Sequence, residues 1–254
     1  MNQEQTLSAW ESVGDAEFMA RLNRVFAQNR LDRYLSRERA EKLHTLARRL
    51  AETNAQYNLS AITDPDGIIF KQFADSAALL PFIPEKAKVL DVGTGAGFPA
   101  LVLAVCRPDL TVTALDATEK KVRYVEESAR VLGLTNLTAI CARAEDLAAG
   151  ELREGFNVVT ARAVSELRIL SELCLPFCRR GGLFLAMKSK NAENELKAAK
   201  KAIPTLGGKL KEQKAYSLTD GKETVERYIL VLEKNAQTPA RYPRPYAKIL
   251  KSPL

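Results

Sequence analysis

The sequence predicts a doubly wound α/β fold, with a mostly parallel sheet of seven strands and an N-terminal helical extension. Strand-like apolar runs alternate with helical patterns from about residue 85 onward, which is typical of a parallel sheet with helices on both faces. The last two strand-like runs are joined by only a short polar segment, so they should pair antiparallel at one edge. The first strand leads into a glycine-rich loop, as expected at the first strand-to-helix turn of such a sheet.

The helical extension is predicted from apolar residues at helical spacing. Two groups show this spacing: Phe18, Leu22, Val25 and Phe26, then Leu43, Leu46, Ala47 and Leu50. They predict two or three amphipathic helices. The segment DPDG at 64–67 is a turn signal, and it precedes a short helix that we expect to end at Pro81.

The strands and helices of the α/β part follow in order. The predicted strands are KVLDVG, TVTALDA, LTAICA, FNVVTARAV, GLFLAMKS, KLKEQKAYSL and VERYILVLEK. The predicted helices run from about Phe98 to Val105, through KKVRYVEESARVLG, from about Glu166 to Cys178 and from Glu193 to Ile203.

The composition is that of a globular protein with one large core. The chain has 254 residues, of which 46% are hydrophobic and 27% are charged. No apolar run reaches the roughly 18 to 20 residues that span a bilayer, and the first residues lack the pattern of a secretory signal. We therefore expect a cytoplasmic protein without membrane contact, acting as a monomer.

The cysteines and the single histidine restrict the chemistry. Cys106, Cys141, Cys174 and Cys178 have the spacing of neither a disulfide framework nor a zinc site, so we expect no metal. His44 lies within a helical pattern, which argues against nucleophilic catalysis that depends on imidazole.

The net charge of +7 is concentrated near the C-terminus. Residues 1–187 carry 23 basic and 24 acidic side chains, whereas residues 188–254 carry 15 and 7. The first part is therefore nearly neutral and the last part has a net charge of +8. Such a distribution indicates binding of a polyanion, although a solvated basic surface would look the same in the sequence.

The glycine loop VGTGAGFP indicates a ligand close to the backbone. Gly93, Gly95 and Gly97 permit positive φ and close approach of a ligand, while amide groups face outward at the helix start. The spacing is G-x-G-x-G and differs from the G-x-G-x-x-G of the dinucleotide fingerprint. It favours a nucleoside ligand without a pyrophosphate.

Acidic residues at the ends of three successive strands support a nucleoside ligand. Asp116 lies 25 residues after Asp91, where its carboxylate can accept both hydrogen bonds of a ribose diol. This geometry suits NAD or S-adenosylmethionine equally. In methyltransferases of the doubly wound class, an acidic residue after the third strand usually accepts a hydrogen bond from the adenine amine, as Glu145 would, although an acid favoured by the dipole of a helix N-terminus explains Glu145 equally well. Asp91 would face a methionine amine. Together with the antiparallel edge, these features favour the S-adenosylmethionine-dependent methyltransferase type over a nicotinamide dehydrogenase.

The absence of two sequence motifs narrows the range of possible methyl acceptors. No cysteine directly follows a proline, as cytosine C5 methylation usually requires, and the fourth strand ends in TARAVSEL instead of an N/D-P-P-Y/F loop. A ring nitrogen such as guanine N7 needs neither device, because it carries a free lone pair. Alignment of the two reactants is then the main requirement.

The ordered motifs resemble the bacterial small-subunit rRNA guanine-N7 methyltransferases, the RsmG or GidB family. The resemblance runs from about Tyr57 to the C-terminus, and its motifs are NLSAI, FADS, DVGTGAGFPAL, LDATEKKVRYVE, RAEDL, TARAVSEL, AMKS, YPR and SPL. It implies methylation of a guanine N7 near the decoding region of 16S rRNA. The substrate would be 16S rRNA, the 30S subunit or its assembly intermediate, with S-adenosylmethionine as cofactor and S-adenosylhomocysteine as product.

The candidate site residues come partly from the resemblance and partly from the glycine loop, the strand ends and the basic C-terminal part described above. Those placed near the reacting groups are Arg162, Asp75 and Ser76. Those expected to bind the cofactor are Asp91, Gly93, Gly95, Gly97, Phe98, Asp116, Ala117, Thr118, Ala144, Glu145 and Arg162. Those expected to bind RNA are Lys188, Lys190, Arg241, Tyr242, Arg244, Tyr246, Lys248 and Lys251. The chain departs from the family at Gln72, where a histidine is usual, and in the tail after Tyr246.

The chain is accordingly divided into three parts. We expect a helical cap at 1–84, a methyltransferase domain at 85–235, and a basic tail at 236–254 packed on or near the active site. Two other functions fit the same residues: a methyltransferase acting on a protein or small molecule, and a nucleoside-binding regulator without catalysis.

Overall fold

A seven-stranded sheet forms the centre of the protein in the computed structural model, which describes residues 10, 13–54, 56–162 and 165–254. The strands are β1 (Lys88–Val92), β2 (Thr111–Asp116), β3 (Leu137–Cys141), β4 (Phe156–Arg162), β5 (Cys178–Lys188), β6 (Gly208–Thr219) and β7 (Thr224–Lys234). Their order in the sheet is β3-β2-β1-β4-β5-β7-β6. Strands β1 to β5 pair in parallel, and β7 is antiparallel to both β5 and β6. This confirms the predicted fold class and the antiparallel edge.

Alternating side chains of the central strands belong to two hydrophobic clusters, one on each face of the sheet. In β1, Val89 lies in the first cluster and Leu90 in the second; in β4, Val158 and Val159 divide in the same way. This alternation follows from the two-residue period of a strand. Both faces are apolar because helices cover both.

The helical extension belongs to the same hydrophobic cluster as one face of the sheet. Helices α1 (Asp15–Gln28) and α2 (Arg37–Asn54) lie where the sequence predicts amphipathic helices. Their buried residues share the first cluster with Val89 and Val112 of the sheet. The division of the chain at 84/85 and 235/236 stays a prediction.

Helix α3 consists of three consecutive pieces, Pro65–Gly67, Ile68–Ala74 and Asp75–Ala77, and the middle piece has π-helical geometry. The DPDG segment is the start of this helix and not a separate turn. The Asp64 carboxylate accepts a hydrogen bond from the Gly67 amide at 2.7 Å, and Pro65 occupies the first turn, where its missing amide hydrogen costs nothing. π-helical turns occur frequently at functional sites.

Among the described residues, seven further α-helices follow: α4 (Ala100–Cys106), α5 (Glu119–Val131), α6 (Ala144–Leu147), α7 (Leu167–Cys174), α8 (Ala192–Ala198), α9 (Ala202–Thr205) and α10 (Tyr246–Lys251). Two predicted helices differ from the structure. The helix expected to reach Cys178 ends at Cys174, because Pro176 lies in a 3₁₀ turn and Cys178 already pairs with Phe156 in the sheet. The helix expected at 193–203 is divided into α8 and α9.

The described ranges contain neither a membrane-spanning helix nor a cluster of metal ligands. No helix within them combines the length and hydropathy needed to cross a bilayer. No three His, Cys, Asp or Glu side chains of these ranges are grouped so that they could hold a metal ion. The four cysteines are free, and three of them are buried.

Candidate active site

Two cavities lie at the carboxyl ends of the parallel strands. The order of the strands reverses between β1 and β4, which is the point where open α/β sheets bind ligands. The first cavity, of about 350 Å³, lies over β1, β2 and β3. The second cavity, of about 640 Å³, lies over β4 and β5 and is bordered by α3.

The glycine loop between β1 and α4 uses its glycines in two ways. Gly95 has a φ of +59°, and a Cβ at this position would meet no atom within 4 Å, so open space lies beside its backbone. Gly97 has a φ of +87°, but a Cβ there would lie 2.3 Å from a methyl carbon of Leu101. Gly97 therefore permits close packing of the loop on α4, and its assignment to ligand contact is not supported by its surroundings.

Asp116 connects the end of β2 to the glycine loop. One carboxylate oxygen accepts a hydrogen bond from the Gly95 amide at 3.0 Å, and the other accepts one from the Thr118 amide at 2.9 Å. Lys121 lies 3.8 Å from the carboxylate. The side chain is nearly buried but faces the first cavity, so each oxygen has a second lone pair for a ligand.

Six residues predicted to bind the cofactor form part of the wall of the first cavity: Gly93, Asp116, Ala117, Thr118, Ala144 and Glu145. The other predicted ones lie outside this wall. Phe98 is buried in the first hydrophobic cluster, and Arg162 lines the second cavity.

Seven residues that line the first cavity were not predicted as cofactor neighbours, and three of them lie on helices. Leu173 of α7, Lys121 of α5 and Tyr246 of α10 all line it. Tyr246 is predicted to stack on RNA bases, but the structure places it at the first cavity, with the Arg143 guanidinium 5.2 Å from the centre of its ring. No local pattern reveals this position, because the tail reaches it through long-range contacts.

The tail is held against α7 by a buried ion pair. Glu172 is fully buried and accepts hydrogen bonds from the Arg244 backbone amide and guanidinium at 2.6 to 2.9 Å. Arg153 donates to the carbonyl oxygens of Thr238 and Tyr242. These contacts bring α10 to the cavity.

The internal contacts of the tail change its expected role in RNA binding. Arg244 is occupied by Glu172, and Tyr242 is buried in the second cluster. Neither side chain is free for RNA in this structure, and Lys188 is also buried. The exposed cations of the predicted set are Lys190, Arg241, Lys248 and Lys251.

Asp91 of β1 is hydrogen-bonded to β4 and to the first residue of α4, which follows the glycine loop. Its carboxylate is fully buried and accepts hydrogen bonds from the Thr160 hydroxyl at 3.0 Å and the Ala100 amide at 3.4 Å. It is not part of the first cavity's wall, so the structure does not place it against a methionine amine. Burial raises the pKa of this carboxyl to about 6, above its usual 3.8.

Because Asp91 is buried, we expect its ionisation to lower the free energy of unfolding in a pH-dependent way. Between about pH 4 and pH 6 the folded protein holds this proton more tightly than the unfolded chain does, so ionisation of Asp91 lowers the free energy of unfolding as the pH rises. The Asp91→Asn protein lacks this cost. Its free energy of unfolding, minus that of the wild type, should therefore increase by about 2 kcal/mol from pH 4 to pH 7, at about 1.4 kcal/mol per pKa unit. Urea denaturation of both proteins across this range measures the difference. A difference that does not change with pH contradicts the prediction.

Arg162 at the end of β4 is held by three acceptors from α3. Its guanidinium donates to the Lys71 carbonyl oxygen at 2.8 Å, to the Asp75 carboxylate at 3.3 Å and to the Gln72 side-chain oxygen. The Phe98 ring centre lies 5.8 Å from the guanidinium carbon. The planar group is thus fixed at the wall of the second cavity, with one face toward an aromatic ring.

Asp75 is the centre of a network of charges and hydrogen bonds. Besides Arg162, its carboxylate accepts a hydrogen bond from the Tyr216 hydroxyl at 3.2 Å, and Arg227 lies 3.4 Å away. Burial, and then the neighbouring Asp75 charge, raises the pKa of Tyr216 far above its usual value. Both Asp75 oxygens therefore have partners from the protein.

Ser76 does not line the second cavity. The side chain is fully buried, and its hydroxyl has no hydrogen-bond partner among the described residues. The structure therefore separates it from Asp75, with which the sequence had grouped it.

The second cavity has an excess of positive charge. Four cationic side chains line it, those of Lys71, Arg162, Lys188 and Arg227, against two carboxylates, those of Asp75 and Glu195. A concave site with this balance attracts polyanions.

Solved structures share the fold of this protein. M. jannaschii TYW2 in complex with AdoMet aligns with 63% of this chain and 74% of its own, at a TM-score of 0.52 and 17% identity. The [4+2]-cyclase SpnF aligns with 64% of this chain and 82% of its own, at a TM-score of 0.50 and 14% identity. At such low identity these similarities concern the fold alone.

Sequence comparisons are more specific. The family model GidB, described as rRNA small subunit methyltransferase G, matches residues 39–224. The ribosomal RNA small subunit methyltransferase G of Desulfitobacterium hafniense is 40% identical over 94% of this chain and 97% of its own, and that of Bacillus pumilus is 40% identical over 87% and 92%. The chain therefore belongs to the rRNA small subunit methyltransferase G family.

Proposed function

We propose that the protein transfers a methyl group from S-adenosylmethionine to N7 of a guanine in 16S rRNA, near the decoding region. The observation that carries the proposal is the pair of cavities beside the β1–β4 switch point. One is lined by bare backbone and carboxylates, and the other has a surplus of cations. Family membership supports the same reaction.

The first cavity fits the adenosyl part of the cofactor. Asp116 would accept the hydrogen bonds of the ribose diol, Glu145 would accept from the adenine amine, and the open space beside Gly95 suits a ligand that approaches the backbone. Tyr246 and Leu173 add apolar surface to the same wall. When bound, S-adenosylmethionine supplies an electrophilic methyl group.

The second cavity suits an acceptor that needs no general base. Its two carboxylates, Asp75 and Glu195, are both engaged in ion pairs with cations of the protein. A guanine N7 carries its lone pair without deprotonation, so the task of these residues is to hold the base in line. Arg162 is fixed at the end of β4 and has the geometry to orient the base.

The charge distribution supports an RNA substrate. The cationic cavity and the exposed Lys190, Arg241, Lys248 and Lys251 provide sites for phosphate contacts. The candidate substrates are free 16S rRNA, the 30S subunit and an assembly intermediate, and we expect the protein to act on them in the cytoplasm.

The proposal is tested with undermodified 16S rRNA and labelled S-adenosylmethionine. Free rRNA, isolated 30S subunits and assembly intermediates are compared, and the label is mapped by cleavage at 7-methylguanine. Incorporation at one guanine N7 near the decoding region, with affinity that falls steeply as salt rises, is expected. Label on proteins or small molecules would instead indicate another substrate class, and cofactor binding without turnover on any RNA would indicate a regulator.

A further inference from the structure

Lys188 lies in the basic part of the chain but is not available to solvent. The side chain is 7% exposed, and its ammonium donates to the Ser165 carbonyl oxygen at 2.6 Å. It also lies 2.7 Å from the Glu195 carboxylate. These contacts use its charge and hydrogen-bonding capacity inside the protein.

Glu195 completes the arrangement from α8. The same carboxylate oxygen that contacts Lys188 accepts a hydrogen bond from the Leu167 backbone amide at 2.8 Å. Leu167 is the first residue of α7, and amides at this position have no partner within their own helix. The Glu166 side chain at the N-cap supplies none. Glu195 therefore satisfies this amide and places a negative charge at the helix N-terminus.

Segment 165–167 is thus held at both ends by one ion pair. Lys188 donates to the carbonyl oxygen of its first residue, Ser165, and Glu195 accepts from the amide of its last residue, Leu167. The segment follows β4, three residues after Arg162, and Ser165, Lys188, Glu195 and Arg162 line the same cavity. A shift of this segment would therefore change the wall against which the methyl acceptor lies.

We propose that Lys188 and Glu195 act as positioning residues, a clamp that fixes segment 165–167 on the wall of the acceptor cavity, and that Lys188 makes no contact with RNA phosphate. This inference rests on the proposed function for its catalytic consequence. Misplacement of reacting groups by about 1 Å can lower a rate by on the order of 10²-fold. Loss of the clamp should therefore lower the rate of methyl transfer and leave the affinities for cofactor and RNA largely intact.

The experiment uses Lys188→Met and Glu195→Gln in the full chain, each with a matched control. Lys190→Met removes an exposed lysine two residues away. Glu193→Gln removes a carboxylate from the same helix, where Glu193 is exposed and pairs only with Lys197 among the described residues. Lys188→Arg, which keeps the charge, should restore part of the rate, and it provides a folded variant if Lys188→Met does not fold.

Three results are expected. The single-turnover rate at saturating RNA and cofactor should fall by on the order of 10- to 100-fold in Lys188→Met and Glu195→Gln, and no further in the double variant, because the two residues act as a unit. Glu193→Gln should keep the wild-type rate. The slope of log affinity for RNA against log salt should become shallower by about 0.7 to 0.9 in Lys190→Met, and should not change in Lys188→Met.

Hydrogen exchange tests the clamp without RNA. The Leu167 amide should exchange faster in Lys188→Met and Glu195→Gln than in the wild type or Glu193→Gln. If exchange does not change, or if Lys188→Met changes the salt slope as Lys190→Met does, the clamp is wrong. If the wild-type protein does not methylate 16S rRNA, the proposed function fails, while the exchange measurement still decides whether the clamp exists.

Discussion

Replacement of Asp116 by alanine is expected to weaken S-adenosylmethionine binding by at least ~10²-fold. Two hydrogen bonds from a ribose diol to this carboxylate would be lost, and hydrogen bonds to charged groups contribute about 1.5 to 3 kcal/mol each. The Gly95 and Thr118 amides would also lose their acceptor, so the loop beside the cavity would lose its support. Titration calorimetry with S-adenosylmethionine and S-adenosylhomocysteine measures the effect.

The asparagine variant at this position sharpens the test. An Asp116→Asn side chain keeps the shape of the carboxylate, but its NH₂ group must face either the Gly95 or the Thr118 amide, both of which are donors. We expect it to bind the cofactor little better than Asp116→Ala. Glu119→Ala is the control, because it removes an exposed carboxylate three residues later whose partner is Arg123. Dissociation constants for Asp116→Ala within threefold of the wild type would contradict the assignment.

Part of the wall of the first cavity could be predicted because its signals are local. The alternation of strands and helices gives the sheet, and the end of each strand gives a position at a known edge. Asp116 and Glu145 follow directly from that rule, and both line the first cavity. The different roles of Gly95 and Gly97 could not be predicted from the sequence, because their surroundings differ only in how α4 packs on the loop.

The tail and the basic residues were less predictable for a physical reason. Charge along the chain does not reveal whether a side chain already has a partner. Arg244 and Lys188 look like phosphate contacts in the sequence, yet each is paired with a carboxylate more than five residues away, Glu172 or Glu195. Such pairs form only when distant segments of the chain pack against each other. The same long-range packing brings Tyr246 to the first cavity.

The Arg162→Lys variant is expected to lose on the order of 10²-fold or more in kcat/KM for rRNA. A guanidinium is a planar fork that donates to the Lys71 carbonyl, the Gln72 amide oxygen and the Asp75 carboxylate together, whereas an ammonium is a point charge on a flexible stem. The charge would remain, but the orientation of the group at the cavity wall would not. The loss should therefore appear in kcat more than in the salt dependence of RNA binding.

Arg227→Lys is the matched comparison, because Arg227 is the second guanidinium at the same carboxylate. It contacts Asp75 through a single longer pair of 3.4 Å, so an ammonium can take over much of its role. We expect a loss several-fold smaller than that of Arg162→Lys, with unchanged cofactor affinity in both proteins. Equal losses would mean that the Asp75 charge balance matters and the Arg162 fork does not. A weaker cofactor affinity in Arg162→Lys alone would assign Arg162 to the cofactor side of the site instead of the acceptor side, although it lines the second cavity, over β4 and β5, and not the first.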